Sequence, residues 1–217
     1  LLLSDHGHEI SPHGHEEIRK IVDLSDRVAR IAQSLLTYGR PYPTQRADLD
    51  IRIPIRRAIS SIEERARAAG VQIHEIFADA PLVARANTNE LVQVFTNLLL
   101  NSLDAMESGG RANGSFRREI TVVARGAHEP RKKGAPNRPT GAATNGALMI
   151  SVEDTGPGVS PDLAERVFEP FFTTKPEGKG TGLGLSVCSG IIRSHEGTID
   201  VESSGVGGAR FVIRLPA

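Results

Sequence analysis

Apolar residues between positions 16 and 40 recur at alternating spacings of three and four, with charged residues between them. The recurring positions are Ile21, Leu24, Val28, Ile31 and Leu35. This spacing predicts a helix that packs along another helix, with an amphipathic helix lying on its own domain as the alternative. The next stretch, "GRPYPTQ", contains a glycine and two prolines, which cannot continue a helix. We therefore place a domain boundary at about residue 41, between residues 1–41 and residues 42–217.

Residues 42–217 mix short segments of period two with longer segments of helical period. The period-two segments predict strands at "ADLDIRI", "VQIHEIF", "PLVARA", "REITVVARG", "ALMISVEDTG", "TIDVES" and "ARFVIRLP". Helices are predicted at "IRRAISSIEERARAAG", "TNELVQVFTNLLLNSLDAMESGG" and "GLGLSVCSGIIRSHEG". Residues 126–146 are rich in Gly, Pro and Asn and predict a mobile loop. Because helices and strands do not alternate strictly, the pattern predicts an α+β fold with helices on one face of a sheet.

Composition excludes several classes of function. The 217 residues include 26 acidic and 26 basic side chains, so the chain has no excess charge for nucleic acid or an anionic membrane. The single cysteine, Cys188, excludes an internal disulfide and favours a reducing compartment. We therefore expect a cytoplasmic location. No apolar run approaches the ~20 residues of a membrane span. A start without methionine indicates a piece of a longer protein, so any membrane attachment is expected upstream.

The helix predicted from Asn87 to Met106 carries a stripe of polar residues among apolar ones. Glu90, Asn97, Asn101 and Asp104 recur at spacings of seven, four and three, which puts them on one helix face. A buried amide without a partner costs roughly 1–3 kcal/mol, so these asparagines need partners. Hydrogen bonds to neighbouring loops are one possibility. The other is an oxygen ligand for a hard cation such as Mg²⁺.

The stretch "VEDTGPGV" places Asp154 at the end of a predicted strand, before Gly156 and Gly158. A carboxylate there can accept a hydrogen bond from an exocyclic amine, and glycine allows the chain to approach a flat ring closely. The pattern is also common in ordinary Asx turns. By itself it indicates a turn that is suited to binding an amine.

Alternating glycines precede the last predicted helix. "GKGTGLGLSV" leaves backbone amides near a helix N-terminus, which is the arrangement of a phosphate cradle. It is neither a Walker A sequence nor a Rossmann turn. The preceding "FEPFFTTKPEGKG" suits a hinged lid, with Phe168, Phe171 and Phe172 as expected anchors. Residues 172–182 contain little that is apolar, so we expect them to be mobile until a ligand is bound.

Taken in order, these segments resemble the sensor histidine kinases of two-component signalling, within the GHKL-type ATPases. "NLLLNSLDAM" is similar to the N box, "DTGPGV" to the G1 box, "FEPFF" to the F box, "GTGLGL" to the G2 box and "GGARF" to the last glycine-rich box. "PFFTTK" just before the G2 box is most similar to the nitrogen-regulation branch. The resemblance implies a two-layer α/β sandwich that binds ATP between helices and a flexible lid, preceded by a helix of a dimerisation hairpin.

The resemblance also implies roles for individual residues. Asn101 would ligate Mg²⁺, Asn97 would line the phosphate side, Asp154 would take the adenine amino group, and Lys175 would be a lid contact. Where many relatives continue the N box with Lys-Tyr, this chain has Asp104 and Ala105. The nucleotide-binding residues expected in full are Asn97, Asn101, Asp104, Asp154, Gly156, Gly158, Lys175, Gly180, Thr181, Gly182, Leu183, Gly184 and Leu185.

The implied function is transfer of the γ-phosphoryl group of Mg-ATP to a histidine, and then to an aspartate of a response regulator. Residues 1–41 would be a remnant of the dimerisation and phosphotransfer hairpin, mainly its second helix, and the full-length protein would be a homodimer. The acceptor histidine is expected upstream of this chain. A GHKL ATPase that hydrolyses ATP for conformational work and a nucleotide-binding scaffold without transfer activity are the alternatives.

The histidine-rich stretch "HGHEISPHGHEE" at residues 6–17 offers another acceptor, His8. The family motif has the form His-Glu/Asp, two residues, Asn/Thr/Ser, Pro, and "HEISP" is one residue short of it. A partner helix matching residues 16–40 needs roughly 25 residues at ~1.5 Å each, and far fewer precede His8. We therefore expect a solvated hairpin loop. Nothing in the sequence fixes a geometry for metal binding by His6, His8, His13 and His15.

Overall fold

A computed structural model of the chain describes residue 11 and residues 13–22, 45–108, 117–126, 146–175 and 180–217. The chain divides into two compact units, Leu1–Pro41 and Tyr42–Ala217. The heptad positions beyond residue 22, most of the 126–146 loop and the middle of the expected lid lie outside the described residues. Each unit is described by itself.

Residues 13–22 of the first unit form a helix. Ser11 begins it, since the Gly14 amide donates to Ser11 Oγ at 3.1 Å, a side-chain cap that satisfies an otherwise free amide. His15 Nδ1 lies 3.1 Å from the Ser11 carbonyl oxygen. The prediction that the histidine-rich stretch is a loop is therefore wrong for His13 and His15, because the Ser11 cap starts the helix earlier than the apolar spacing indicated.

The second unit contains the strands and helices that the sequence predicted, except that the strand predicted at "ADLDIRI" ends at Asp50 and the helix after it already begins at Arg52. In chain order they are β1 (Ala47–Asp50), α1 (Arg52–Ala68), β2 (Gln72–Phe77), β3 (Val83–Ala86), α2 (Thr88–Ser108), β4 (Glu119–Gly126), β5 (Ala147–Asp154), α3 (Gly184–Ser194), β6 (Thr198–Ser203) and β7 (Ala209–Pro216). Two single turns of 3₁₀-helix, Pro161–Leu163 and Arg166–Phe168, lie between β5 and α3. The predicted α+β class is confirmed.

The main sheet has the strand order β2-β4-β5-β7-β6. Only β2 and β4 are parallel, and the other pairs are antiparallel. β1 and β3 form a separate antiparallel pair. Every second residue of β4 is buried, as expected for a sheet that is covered on one face.

The core lies between that covered face and the three helices. Its fully buried members include Ile55 of α1, Leu98 of α2, Ile192 of α3 and Ile150 of β5. Burial of such side chains stabilises the fold by about 1.5–3 kcal/mol each. Over the described residues, no helix is both long and apolar enough to cross a bilayer.

Helices α2 and α3 pack antiparallel, and their pairing orients the polar face of α2. Near the start of α2, the Asn87 amide donates to His195 Nε2 at 3.1 Å, just beyond the end of α3. Half way along, Cys188 Sγ donates to the Val94 carbonyl at 3.7 Å, and complete burial raises the pKa of the Cys188 thiol to about 12. Cys188 therefore acts as a packed core residue rather than a reactive thiol. This pairing brings the start of α3 beside Asn97.

Candidate nucleotide-binding site

The end of β5 carries a buried carboxylate held by three donors. Asp154 is 3% exposed and Ser102 is 1% exposed. Asp154 Oδ1 accepts from the Gly156 amide at 2.9 Å and from the Ala209 amide at 3.1 Å. Oδ2 accepts from Ser102 Oγ at 3.0 Å. We call Asp154, Ser102, Gly156 and Ala209 the Asp154 cluster. It joins α2, the β5 turn and the start of β7.

The protonation of Asp154 is set by two opposing effects. Burial, the larger effect, raises the pKa of the Asp154 carboxyl above its ordinary value, because the charged form is poorly solvated. The hydrogen bonds from Ala209, Gly156 and Ser102 act in the opposite direction by stabilising the charge. An ionised carboxylate has about four lone pairs, and the described residues fill three of them. One acceptor position on Oδ2 is therefore available to an amine.

Ser102 and the Ala209 amide, and a glycine behind the Asp154 cluster, were not among the residues predicted from the sequence. A Cβ at Gly208 would lie 1.9 Å from the Asp154 carbonyl oxygen, a distance that only glycine avoids. Gly158 lies on the same side, where an added Cβ would be 3.0 Å from the Gly208 carbonyl oxygen. The pair "GG" before "ARF" was the available signal for this close approach.

The polar residues of α2 lie near opposite ends of α3. Asn97 Nδ2 donates to the Gly184 carbonyl at 3.4 Å, and Asn101 and Asp104 follow one and two turns later. Glu90 lies apart from them, with its Oε2 3.6 Å from His195 Nε2 near the end of α3. Of the predicted stripe, Asn97 therefore contacts the glycine-rich segment at Gly184, whereas Glu90 lies at the other end of α3.

A second cluster joins the lid segment to α2. Lys175 Nζ donates to Asp104 Oδ2 and lies 3.4 Å from Asn101 Oδ1. The other oxygen of Asp104 accepts from Arg65 of α1 at 2.6 Å, and this Arg65 nitrogen also donates to Glu107 at 2.7 Å. We call Lys175, Asn101 and Asp104 the lid cluster. Arg65 was not predicted from the sequence, because it lies 39 positions from Asp104 and no local pattern links them.

Over the part of the chain that the structure describes, no side-chain cap is seen at the start of α3. Leu183 is the N-cap residue and makes no side-chain hydrogen bond to the helix. The Leu183 amide donates to Thr181 Oγ1 at 3.3 Å, while Gly184 and Leu185 begin the first turn and are partly exposed. Uncapped amides at a helix start, together with the positive end of the helix dipole, favour an anion.

The glycines before α3 allow a close backbone approach. Gly182 has a φ of +66°, and a Cβ there would lie 2.3 Å from the Phe171 carbonyl carbon. At Gly180 an added Cβ would be 2.5 Å from Thr173 Oγ1. The two ends of the lid segment are therefore in contact through backbone, which requires glycine at position 182.

The expectation that three phenylalanines anchor the lid is wrong for one of them. Phe168 packs edge-on against Phe211, with ring centroids 6.5 Å apart, and Arg166 stacks over Phe172 at 4.6 Å. Phe171 has a φ of +67° and its side chain is 67% exposed. The chain reverses at Phe171 to meet Gly182, and this conformation turns its side chain away from the core.

The residues present fit a nucleotide and leave a place for Mg²⁺. The Asp154 cluster offers an acceptor for an amine, and the α3 start offers amides for phosphates. One oxygen each of Asn101 and Asp104 contacts a cation, the Lys175 ammonium group, and oxygens of this type are the ligands that Mg²⁺ prefers. Within the described ranges, no three His, Cys, Asp or Glu side chains form a metal site. A magnesium ion held here would therefore complete its coordination with phosphate oxygens and water.

Comparison with known proteins places this geometry in a family. Residues 86–217 match the profile described as histidine kinase-, DNA gyrase B-, and HSP90-like ATPase. The C4-dicarboxylate transport sensor protein DctB of Pseudomonas aeruginosa is 31% identical over 99% of this chain and 31% of its own length. This chain spans between 18% and 38% of the length of the curated relatives it matches.

Solved structures share the fold. The catalytic domain of histidine kinase ThkA, in a nucleotide-free form, aligns with a TM-score of 0.59 at 27% identity, over 79% of this chain and 97% of that domain. ThkA in complex with response regulator protein TrrA aligns with a TM-score of 0.69 at 22% identity, over 99% of this chain and 55% of that one. With more than half of its residues matched to the profile, the chain belongs to the histidine kinase-, DNA gyrase B- and HSP90-like ATPase family.

Proposed function

We propose that this chain is the ATP-binding catalytic part of a sensor histidine kinase. It would transfer the γ-phosphoryl group of Mg-ATP to a histidine upstream of the present sequence, and from there to a response-regulator aspartate. The observation that carries the proposal is the convergence on α2 of a buried acceptor, Asp154, and of the uncapped start of α3. Their contact residues on α2, Ser102 and Asn97, are five positions apart, or about 7.5 Å along the helix.

In this proposal each part of the site has one task. Asp154 accepts the adenine amino group and so fixes the base. Amides at Gly182, Leu183 and Gly184 hold the phosphates, with Gly180, Thr181 and Leu185 shaping the same turn. Asn101 would hold Mg²⁺, which would supply neutralisation of the phosphate charge. Catalysis is then mainly positioning and electrostatic stabilisation, as phosphoryl transfer requires.

Lys175 is assigned a contact to the γ-phosphate. Its ammonium group donates to Asp104 Oδ2 and lies 3.4 Å from Asn101 Oδ1. A Mg²⁺ ion held by Asn101 would take the place of this ammonium group beside Asn101, and Lys175 would then be free to reach the γ-phosphate. Asp104 would keep Arg65 as its partner.

The partners follow from the relatives and from the first unit. ThkA forms a complex with a response regulator, and we assign a receiver domain of that kind to this chain. We also assign residues 1–41 to a remnant of a dimerisation and phosphotransfer hairpin, mainly its second helix. Ile21 is 65% exposed and Val22 is 49% exposed on the described part of its helix, and such apolar exposure suits contact with a second helix. We place the chain in the cytoplasm, with any membrane attachment in upstream regions.

The test separates binding, transfer and hydrolysis. The chain is incubated with γ-labelled Mg-ATP, alone and with a longer homologous partner that carries the whole hairpin and an inactive nucleotide site. We expect the chain to bind ATP, to remain unlabelled alone, and to label a histidine of the partner. Acid-labile phosphate on His8 would overturn the acceptor assignment. Steady hydrolysis without transfer would favour an ATPase that does conformational work, and binding with neither reaction would favour a scaffold.

A further inference from the structure

The hydroxyl of Ser102 makes a buried hydrogen bond to Asp154, and the proposed function assigns no role to this bond. It sits on α2 directly after Asn101, is 1% exposed, and donates to Asp154 Oδ2 at 3.0 Å. A buried serine could satisfy its hydroxyl within its own helix, as Ser186 does by donating to the Leu183 carbonyl at 2.9 Å. Ser102 instead donates to the oxygen of Asp154 that has an acceptor position left.

The distribution of donors over the carboxylate determines what the remaining position can bind. Two backbone amides, from Gly156 and Ala209, occupy Oδ1. Ser102 fills one of the two acceptor positions of Oδ2 and is the only side chain among these three donors. The remaining lone pair can accept from an amine only while Asp154 is ionised. A protonated Asp154 would present a hydroxyl and could donate to a carbonyl instead.

We propose that Ser102 is a specificity-determining positioning residue, which keeps Asp154 an acceptor and so selects 6-amino over 6-oxo purine nucleotides. The inference rests on the proposed nucleotide-binding function and deepens it. An adenine ring offers a donor at position 6 and a hypoxanthine or guanine ring offers an acceptor there. A site whose buried polar group matches the donor strongly disfavours the ring that leaves this group unpaired.

The surroundings of Asp154 make the hydroxyl important. Burial disfavours the charged form and the neighbouring Glu153 carboxylate acts in the same direction, so both raise the pKa of Asp154. Glu153 is itself held by Ser204, whose Oγ donates at 2.6 Å. From α2, Ala105 and Met106 approach the Gly156 turn. From β7 the described bond is the Ala209 amide. Ser102 is therefore the one donor that a side-chain substitution can remove without altering the backbone.

The experiment compares ADP with IDP, which differ at position 6 of the purine and carry no γ-phosphate. Affinities are measured by calorimetry with Mg²⁺ across a mildly acidic to mildly alkaline pH range. We expect the wild-type chain to prefer ADP, and the preference to fall as the pH is lowered and Asp154 is protonated. In Ser102→Ala the same fall should occur at a higher pH, and the preference at neutral pH should drop by about tenfold.

Two control variants separate this role from a structural one. Ser189→Ala removes another buried serine hydroxyl, on α3, and should leave the ADP preference and its pH profile unchanged. Ser102→Thr keeps the hydroxyl and should restore the wild-type profile even if packing lowers its stability. An identical pH profile for wild type and Ser102→Ala, with ADP still bound, would overturn the inference. Failure of the wild-type chain to bind ADP at all would instead overturn the proposed function.

Discussion

The Asp154 cluster and the lid cluster lie on the same helix but are built in opposite ways. Asp154 is almost fully buried, and two of its three donors are backbone amides, whose positions are fixed by the fold. In the lid cluster, the Lys175 and Asp104 side chains remain 29% and 27% exposed, and Lys175 reaches Asp104 through a long flexible side chain. Partly exposed ion pairs contribute only about 0–1 kcal/mol. The Asp154 cluster is therefore preformed, whereas the lid cluster is held by contacts that a ligand can replace.

The largest effect is expected where the site is preformed. Asp154→Asn keeps the shape of the side chain but replaces Oδ2 with an NH₂ group. The amino group of adenine would then face a donor instead of an acceptor. We expect ATP affinity to fall by about 100-fold or more, since a bond to a charged group is lost and a mismatch is created. Calorimetric titration with ATP measures this. Glu153→Gln, which changes the neighbouring carboxylate, should bind ATP normally, and equal losses in both variants would contradict the assignment.

The Asp154→Asn variant should not lose thermal stability. The pKa of Asp154 is raised in the fold, so the folded chain binds this proton more readily than the unfolded chain does. The contribution of this group to stability is present at low pH and declines as the pH rises from the ordinary carboxyl value to the raised one. At neutral pH the buried charge is thus a cost that Asp154→Asn removes. Calorimetric unfolding at pH 7 should show an equal or higher Tm, and a large decrease would contradict this.

Asn101→Ala tests the metal side of the lid cluster. Its described contact is the 3.4 Å approach to Lys175, so the fold should be nearly unchanged. We expect ATP affinity in the presence of Mg²⁺ to fall at least about tenfold, as is usual when metal coordination is impaired. With the metal chelated, wild type and variant should bind ATP equally weakly. Wild-type affinity of Asn101→Ala in Mg²⁺ would remove Asn101 from the metal site.

Lys175→Ala should have a smaller effect on nucleotide affinity, and the effect should require the γ-phosphate. We expect ATP affinity to fall up to about fivefold, the range of a solvent-exposed ion pair, and ADP affinity to remain nearly constant. Lys175→Arg, which keeps the positive charge, serves as the matched control. Equal weakening of ATP and ADP by Lys175→Ala would show that the lysine does not reach the γ-phosphate.

The smallest change should be visible in hydrogen exchange. Amides of residues 172–182 should exchange fast in the free chain and slow down with an ATP analogue, whereas the Gly156 and Ala209 amides should be protected in both states. The protected pair is an internal reference in the same experiment. Equal protection of residues 172–182 with and without nucleotide would contradict the contrast between the two clusters.

The secondary structure could be predicted because local patterns report it well. α2 is a long apolar helix with a polar stripe, and β4 alternates strictly between buried and partly exposed residues. Both signals depend only on spacing along the chain. The helix start at Ser11 was not predicted, because glycine and several polar residues there are typical of a loop. The hydroxyl of Ser11 nevertheless caps a helix at this point.

Other parts of the site could not be read from the sequence, because they depend on contacts between distant segments. Arg65 meets Asp104 across 39 positions, and the Ala209 amide meets Asp154 across 55. Ser102 looked like one more small residue in an apolar helix. The exposure of Phe171 follows from a backbone reversal that hydrophobicity does not encode.

The backbone contact between Phe171 and Gly182 also has a consequence for protein engineering. It fixes the two ends of the intervening segment against each other, so the length of residues 172–181 does not determine where α3 starts. The entropic cost of closing a flexible loop grows only logarithmically, and doubling its length adds about 0.6 kcal/mol. A peptide tag or a fluorescent reporter inserted near the middle of this segment should therefore leave the Asp154 cluster intact. Its signal would report when nucleotide is bound.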